Sequence, residues 1–447
     1  MLFKKWYSKI SENIVNYKEE IGMTIIEAAK KAREAAICLA AVGSDEKNKA
    51  LMAIAKALEE NKEAIEKANA IDRVNSEKEQ VALPLLKRLK FDDAKRKDVI
   101  AGIESLCNLE DPVGKVQLRT ELDTELILTR VACPIGVVGI IFESRPDALV
   151  QISTLCLKSG NGVLLKGGSE AKETNRILFE IIKEASLKAG MPEGWIALME
   201  SREDVSAILK LDKYIDLLVP RGSNDFVSYI MKNTNIPVIG HADGICHTYV
   251  DKEADLDMAV KVVVDSKTQY VVVCNALETL LVHKEIAPFF LPQLKQAMDE
   301  KKVKLKGCAR TREIIEVEEA TEEDWQTEYL DYMLSIKVVE SIKEAIDHIN
   351  TYGSGHTDCI ITTNEDTAQT FMMLVDSGNV FHNVSTRFSD GFRYGFGAEV
   401  GVSTSKIHAR GPVGLEGLLI YKYKLVGKGH IVEDYASGDK HFTHKKL

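Results

Sequence analysis

Gly136-Val-Val-Gly-Ile-Ile-Phe142 is an almost unbroken apolar run, and Glu143-Ser-Arg-Pro146 ends it. A run of that length, closed by a proline able to start a helix, reads as a buried strand followed at once by a helix. The pattern repeats. Further apolar runs stand at 162–166, 195–199, 215–219 and 237–240, with helical patterns at 147–158, 170–189, 202–210 and 222–233. Apolar strands alternating with helices predict a parallel sheet covered on both faces.

A second α/β stretch begins near Cys246. It carries strands at 246–250, Thr279–His283, 334–339 and 358–362, with helices at 255–267, 286–299 and 366–376. Upstream, residues 24–70 have the apolar spacing of long helices, and another helix is expected near 92–107. Residues 116–131 alternate apolar with polar, as a half-solvated antiparallel pair does. Leu418–Val432 reads as a strand, a Gly427-Lys-Gly429 turn and a partner strand. Those two stretches together predict a small projecting sheet whose free edges a second subunit would cover. The acidic run Glu316–Asp324 reads as a solvated helix face.

Composition narrows the function. The chain has 447 residues and a net charge of −10, which disfavours broad nucleic-acid binding. Its eight cysteines form no C-x-x-C pair, a reduced, cytoplasmic pattern rather than a disulfide framework. No apolar run is long enough to cross a membrane. The first 22 residues are basic and then acidic, unlike a secretory or transit signal, and read as a dispensable extension.

Cys274 follows the apolar run Val271–Val273 and opens a Cys-Asn-Ala turn. A thiol there is either a buried structural cysteine or a nucleophile, since a thiolate attacks acyl carbon well. Three turns follow successive strands. They are Phe142-Glu-Ser144-Arg145-Pro146, Lys166-Gly-Gly168-Ser169 and Arg221-Gly222-Ser223. Each lies at a strand's C-terminal end, where open α/β sheets bind ligands. Lys166 and Ser169 suit a ribose or its 2′-phosphate; Gly222 and Ser223 suit a pyrophosphate at a helix start. Each alone is an ordinary turn, and no G-x-G-x-x-G is present. Arg387 and Arg410 are candidates for gripping oxyanions, or for salt bridges. His241, Cys246 and His247 cluster in sequence, but no second group with zinc spacing follows, so no metal is expected.

The stretches FESRPDALVQI (142–152), SGNGVLLKGGSEA (159–171), HADGICHTYVD (241–251), CNALETLLVH (274–283), YGSGHTDCIIT (352–362) and the run 385–417 resemble the gamma-glutamyl phosphate reductases. These are a branch of the aldehyde dehydrogenase superfamily, also called glutamate-5-semialdehyde dehydrogenases. The resemblance covers about Met23 to Val432. It implies an aldehyde-dehydrogenase-like fold: two α/β domains with parallel-rich sheets and a small β oligomerisation element. The expected boundaries are 23–110 with 132–245 for NADP(H), 246–413 for catalysis, and 111–131 with 414–447 for oligomerisation.

It also implies NADPH-dependent reduction of an acyl phosphate, L-glutamyl 5-phosphate, in proline biosynthesis. Cys274 falls on the family nucleophile, with Asn275 and Ser144 near the oxyanion position. Lys166, Gly168, Ser169, Gly222, Ser223 and Glu328 fall on the cofactor side, and Arg145, Arg387 and Arg410 are candidates for substrate. Oxidising relatives carry a Glu base where His241 stands; its absence fits reduction, because activating water would hydrolyse the thioester. The family pattern before the nucleophile resembles YPAACNA. Here Tyr270-Val-Val-Val273 replaces it, which predicts a stiffer, more crowded loop. That departure keeps two other readings open: an acylating dehydrogenase for another acyl group, or a weakly active assembly partner of a glutamate kinase. A homo-oligomer is expected in each case.

Overall fold

The structure, a computed structural model, describes residues 24–447 apart from 82, 201–203, 242 and 398. The expected N-terminal extension lies outside those residues. The chain divides into two compact units. The first runs to Gly222 and adds Asn233–Val238 and Leu418–Leu447; the second is Ser223–Lys232 with Ile239–Gly417.

In the first unit the helix Ile25–Leu39 begins with a reciprocal cap. The Thr24 hydroxyl accepts from the Glu27 N–H, and the Glu27 carboxylate accepts from the Thr24 N–H at 2.8 Å. Its buried face is Ala28, Ala29, Ala32, Ala35, Ala36 and Leu39. Small residues let it lie close to the sheet: a Cβ on Gly162 would stand 2.8 Å from the Ala32 carbonyl oxygen. Strands β1 (Val116–Asp123) and β2 (Leu126–Pro134) pair antiparallel. Strands β3 (Val137–Phe142), β4 (Gly162–Gly167), β5 (Ile196–Met199) and β6 (Leu217–Arg221) form a parallel sheet in the order β5-β4-β3-β6. The strand expected at 237–240 reduces to one bridge, Leu218 to Val238. Of the helix expected at 202–210, residues 202 and 203 lie outside the described residues and Asp204–Ile208 is helical.

The second unit holds β7 (Cys246–Val250), β8 (Leu277–His283), β9 (Lys304–Gly307), β10 (Glu318–Glu319), β11 (Met333–Val339), β12 (Thr357–Ile361) and β13 (Asn379–His382). Their order is β10-β9-β11-β8-β7-β12-β13, and every pairing is parallel. β8 is central and buried along its whole length. Leu280 and Val282 feed one apolar cluster and Leu281 another, so its alternate side chains pack on opposite faces. Two short strands, β14 (Gly401–Ser403) and β15 (Gly411–Val413), pair antiparallel.

Two further sequence expectations change. The acidic run is not a helix: Glu318–Glu319 is an edge strand, and Glu323–Gln326 is a single tight turn. Asp324 is buried there, where it accepts from Lys306 and Tyr329, each at 2.6 Å. At the C-terminus, β16 (Leu419–Val426) pairs with β2, not with the residues after Gly427-Lys-Gly429. A last strand, β17 (Lys445–Lys446), pairs with β1 and completes the sheet β16-β2-β1-β17. Among the described residues no helix is long and apolar enough to cross a membrane.

Candidate active site

The helix Leu256–Thr268 ends just before Cys274, and β8 begins just after it. Between them the chain turns, with the Ala276 N–H donating to the Val273 carbonyl at 3.0 Å. Val271 points inward at 8% exposure, whereas Val272 is 45% exposed. The loop therefore accommodates its β-branched run by turning one valine out. Cys274 is half-buried. Gly244 holds it from behind: a Cβ there would meet the Cys274 carbonyl oxygen at 2.1 Å and its Cα at 2.4 Å.

Asn275 is buried. Its side-chain N–H donates to the Ser389 carbonyl at 2.8 Å, and its own carbonyl accepts from the Thr386 hydroxyl at 2.8 Å. These bonds seat the tight turn Thr386–Phe388, which carries Arg387. Arg387 is buried and its Nε donates to Gln269 at 2.9 Å. Burial and the charge of Arg393 push its pKa down, while Cys274, Asp390 and Asp265 favour its charged form.

Glu328 belongs to the same unit. It accepts from the Asn224 side chain at 2.6 Å and from the Gly244 N–H. Burial raises its carboxyl pKa. Gly244 therefore contacts Glu328 through its N–H and Cys274 through its Cα. Arg410 forks onto Asp376, with Nη1 to the carboxylate and Nη2 to the carbonyl, each at 2.9 Å. Ser223 precedes the helix Asn224–Lys232, and its carbonyl accepts from the Val227 N–H at 3.0 Å.

One pair escaped the sequence reading. Lys267 and Glu278, both fully buried, meet at 2.7 Å on the helix before Cys274 and the strand after it. Burial pushes the Glu278 carboxyl up to about 7 and the Lys267 ammonium down. Both shifts favour the neutral pair, as expected where desolvation exceeds mutual attraction.

The first unit carries the remaining candidates. Gly167, Gly168 and Ser169 line a small, partly open depression with Lys172, Asn175, Leu198, Met199 and Glu200. A Cβ at Gly167 would lie 2.3 Å from the Asn175 amide. Glu200 already binds Arg176, 2.9 Å from its Nη2. The Lys166 ammonium is buried and donates to the Gly167 carbonyl at 2.5 Å. Ser144 is buried with φ of 46°, and both its N–H and hydroxyl donate to Glu170 Oε1, at 2.6 and 2.9 Å. Its hydroxyl proton is therefore committed to a carboxylate. Arg145 precedes the helix Pro146–Ser159, with Pro146 at its first position. Gly222 ends this unit's main run.

Comparison with known proteins fits this arrangement. The Aldehyde dehydrogenase family model matches residues 9–312. A gamma-glutamyl phosphate reductase of Acetivibrio thermocellus is 69% identical over 425 residues, covering 95% of this chain and 99% of the relative. The chain belongs to the aldehyde dehydrogenase family. Among solved structures, the gamma-glutamyl phosphate reductase of Thermotoga maritima superposes with a TM-score of 0.89 at 42% identity, covering 91% of this chain and 99% of the other. A Methanocaldococcus jannaschii glyceraldehyde-3-phosphate dehydrogenase complexed with NADP shares the fold, with a TM-score of 0.62 at 18% identity over 90% and 94% of the two chains. In aldehyde dehydrogenase terms, the chain has a cysteine at the head of a central strand and His241 with no carboxylate beside it in sequence until Asp243.

Proposed function

We propose that this chain reduces L-glutamyl 5-phosphate with NADPH, giving L-glutamate 5-semialdehyde, phosphate and NADP⁺, a step of proline biosynthesis. The observation that carries the reading is Cys274, on a turn that Asn275 bonds to the segment carrying the buried Arg387, in a chain so close to named gamma-glutamyl phosphate reductases.

The Cys274 sulfur attacks the acyl carbon as thiolate. The C–S bond forms, the C–O bond to phosphate breaks, and the phosphate leaves with the bonding electron pair. Arg387 supplies positive charge near the sulfur, which suits a departing anion. The backbone N–H groups of Cys274 and Asn275 are the candidate donors to the developing oxyanion. When bound, NADPH supplies the hydride that converts the thioester to a thiohemiacetal. Collapse of that species releases the aldehyde and returns the electron pair to Cys274.

The first-unit pocket suits the cofactor. Ser169 offers a hydroxyl, Lys172 brings a cation, and Arg176 neutralises Glu200, while Gly168 leaves the space that the Glu170 carboxylate fills. Lys166, Gly222 and Ser223 complete the candidates for ribose and pyrophosphate, and Glu328 for the nicotinamide ribose. Ser144 acts through Glu170 as a support for the β4 turn. Arg145 and Arg410 remain candidates for the substrate's carboxylate and phosphate. We also propose that the active form is a homo-oligomer in the cytoplasm.

The test is NADPH formation from glutamate semialdehyde, supplied as its equilibrium mixture with pyrroline-5-carboxylate. Turnover should require inorganic phosphate. Cys274→Ala should abolish it while NADPH binding, followed by fluorescence, persists. Turnover that needs coenzyme A instead of phosphate would move the chain to the acylating dehydrogenases.

A further inference from the structure

Two imidazoles and a thiol converge in the second unit. One ring nitrogen from each of His241 and His356 and the Cys274 sulfur all lie within 4.8 Å of one another. The two rings meet edge to face, their centroids 4.8 Å apart. Each is oriented through Nδ1: His241 against the Val402 carbonyl at 2.8 Å, His356 against the Thr357 hydroxyl at 2.8 Å. Metal-bound histidines are held in this way, one nitrogen on a fixed polar partner and the other on the metal. His356 is fully buried, and its Nε2 has no hydrogen-bond partner. Native proteins seldom leave such an atom unmatched. A second thiol borders the cluster, with the Cys246 sulfur 3.7 Å from His356 Nδ1. The reduction described above uses neither His356 nor Cys246. In sequence His241 neighbours Cys246 and His247; the fold instead gathers it with residues 33 and 115 positions away.

We propose that His241, Cys274 and His356 form a site for a borderline-soft divalent cation, represented by Zn²⁺, whose binding reversibly blocks the nucleophile. Zn²⁺ bonds of about 2.0–2.3 Å in a tetrahedron place ligand atoms roughly 3.3–3.8 Å apart. The three atoms need to close by about an ångström on that spacing. His241 is the ligand able to move: it is half-buried and lies in the stretch before β7, outside any helix or strand. The cation accepts one lone pair from each imidazole and one from the thiolate, and the thiol proton passes to solvent. Water fills the fourth position. One thiolate and two imidazoles favour Zn²⁺ over Mg²⁺ or Ca²⁺. A sulfur lone pair bound to metal is unavailable to acyl carbon, so cation and acyl phosphate exclude one another. This last consequence rests on the nucleophile reading of Cys274; the binding itself does not.

The experiment is an anaerobic titration of the full chain with Co²⁺, whose thiolate charge-transfer absorption reports sulfur ligation, followed by displacement with Zn²⁺. One equivalent should produce the band in the wild-type chain and none in Cys274→Ala. His241→Gln and His356→Gln should each weaken cobalt binding by ~10-fold or more. In the unmodified protein, Zn²⁺ should protect Cys274 from iodoacetamide, and EDTA should restore both alkylation and reduction. A band that persists in Cys274→Ala, or alkylation of Cys274 at an unchanged rate in saturating Zn²⁺, overturns the site. The alkylation arm needs no variant to fold. A normal cobalt band with glutamyl phosphate reduction undiminished overturns the blocking role and, separately, the nucleophile reading.

Discussion

A methyl group at position 244 would stand 2.1 Å from the Cys274 carbonyl oxygen and 2.5 Å from its Cβ. No flexible side-chain end is involved, so backbone would have to shift. Gly244→Ala should therefore displace the thiol and strain the Gly244 N–H bond to Glu328. We expect kcat/KM to fall about 100-fold, the scale of an ångström-sized misplacement. Stability should fall by about 1–3 kcal/mol, as for overpacking. Steady-state kinetics and urea unfolding measure the two losses; wild-type kinetics would show that the contact does not set the position of Cys274. The sequence offers Cys274 and Arg387 by chemical type, and Glu328 only through the family resemblance. It does not single out Gly244, because a missing side chain announces nothing until its neighbour is known. His356 lies in a quoted motif but approaches Cys246 across 110 residues. Lys267 and Glu278 hide for a related reason: the chain reverses direction between a helix and a strand, and only that reversal joins them.

The helix Ile342–Tyr352 buries Ala345, Ile346, His348 and Ile349, a spacing that places His348 on the core face. Its ring packs on Trp325, Tyr352 and His247, and Lys337 lies 3.1 Å from its Nδ1. Burial, then His247 and Lys337, push its pKa down to about 2. In the unfolded chain the imidazole binds a proton below about 6.5, and in the folded chain it does not. Stability is therefore fully retained above that pH. It is lost as pH falls, at about 1.4 kcal/mol per unit from this group. Urea midpoints at pH 7 and pH 5.5 should differ less in His348→Gln than in wild type, even though the variant is less stable at pH 7. An unchanged difference would assign the acid loss elsewhere. Elements of this kind are readable from sequence because their periodicity is local. β7, Cys-His-Thr-Tyr-Val, matches its expected bounds at 246–250. The acidic run misleads because Asp324 takes its surroundings from Lys306 and Tyr329, and charge density alone reads as solvent. The strand expected at 237–240 fails because only Val238 finds a neighbour.

At the scale of the whole molecule, the C-terminal strand is the feature that the chain leaves uncovered. β16 pairs with β2 along eight positions, and among the described residues its other edge has no strand. Tyr421, Tyr423 and Leu425 share one face and are 51%, 57% and 57% exposed. Arg130 lies 4.9 Å over the Tyr421 ring, and little else covers that face. An eight-residue edge with an apolar face invites strand pairing or burial by another chain. A second copy is the simplest occupant, because self-association needs no partner of separate supply and closes by symmetry. The two lysines on the opposite face, Lys422 and Lys424, oppose indiscriminate stacking there and leave the aromatic face as the one to bury. Tyr423→Asp combined with Leu425→Asp places two carboxylates on the aromatic face. Light scattering after size exclusion should then report a lower mass than wild type, with the far-UV circular dichroism preserved because neither side chain is buried. If mass is unchanged, this strand is not the contact between copies. If mass falls and phosphate-dependent turnover falls with it, assembly supports the active site as well as covering the edge.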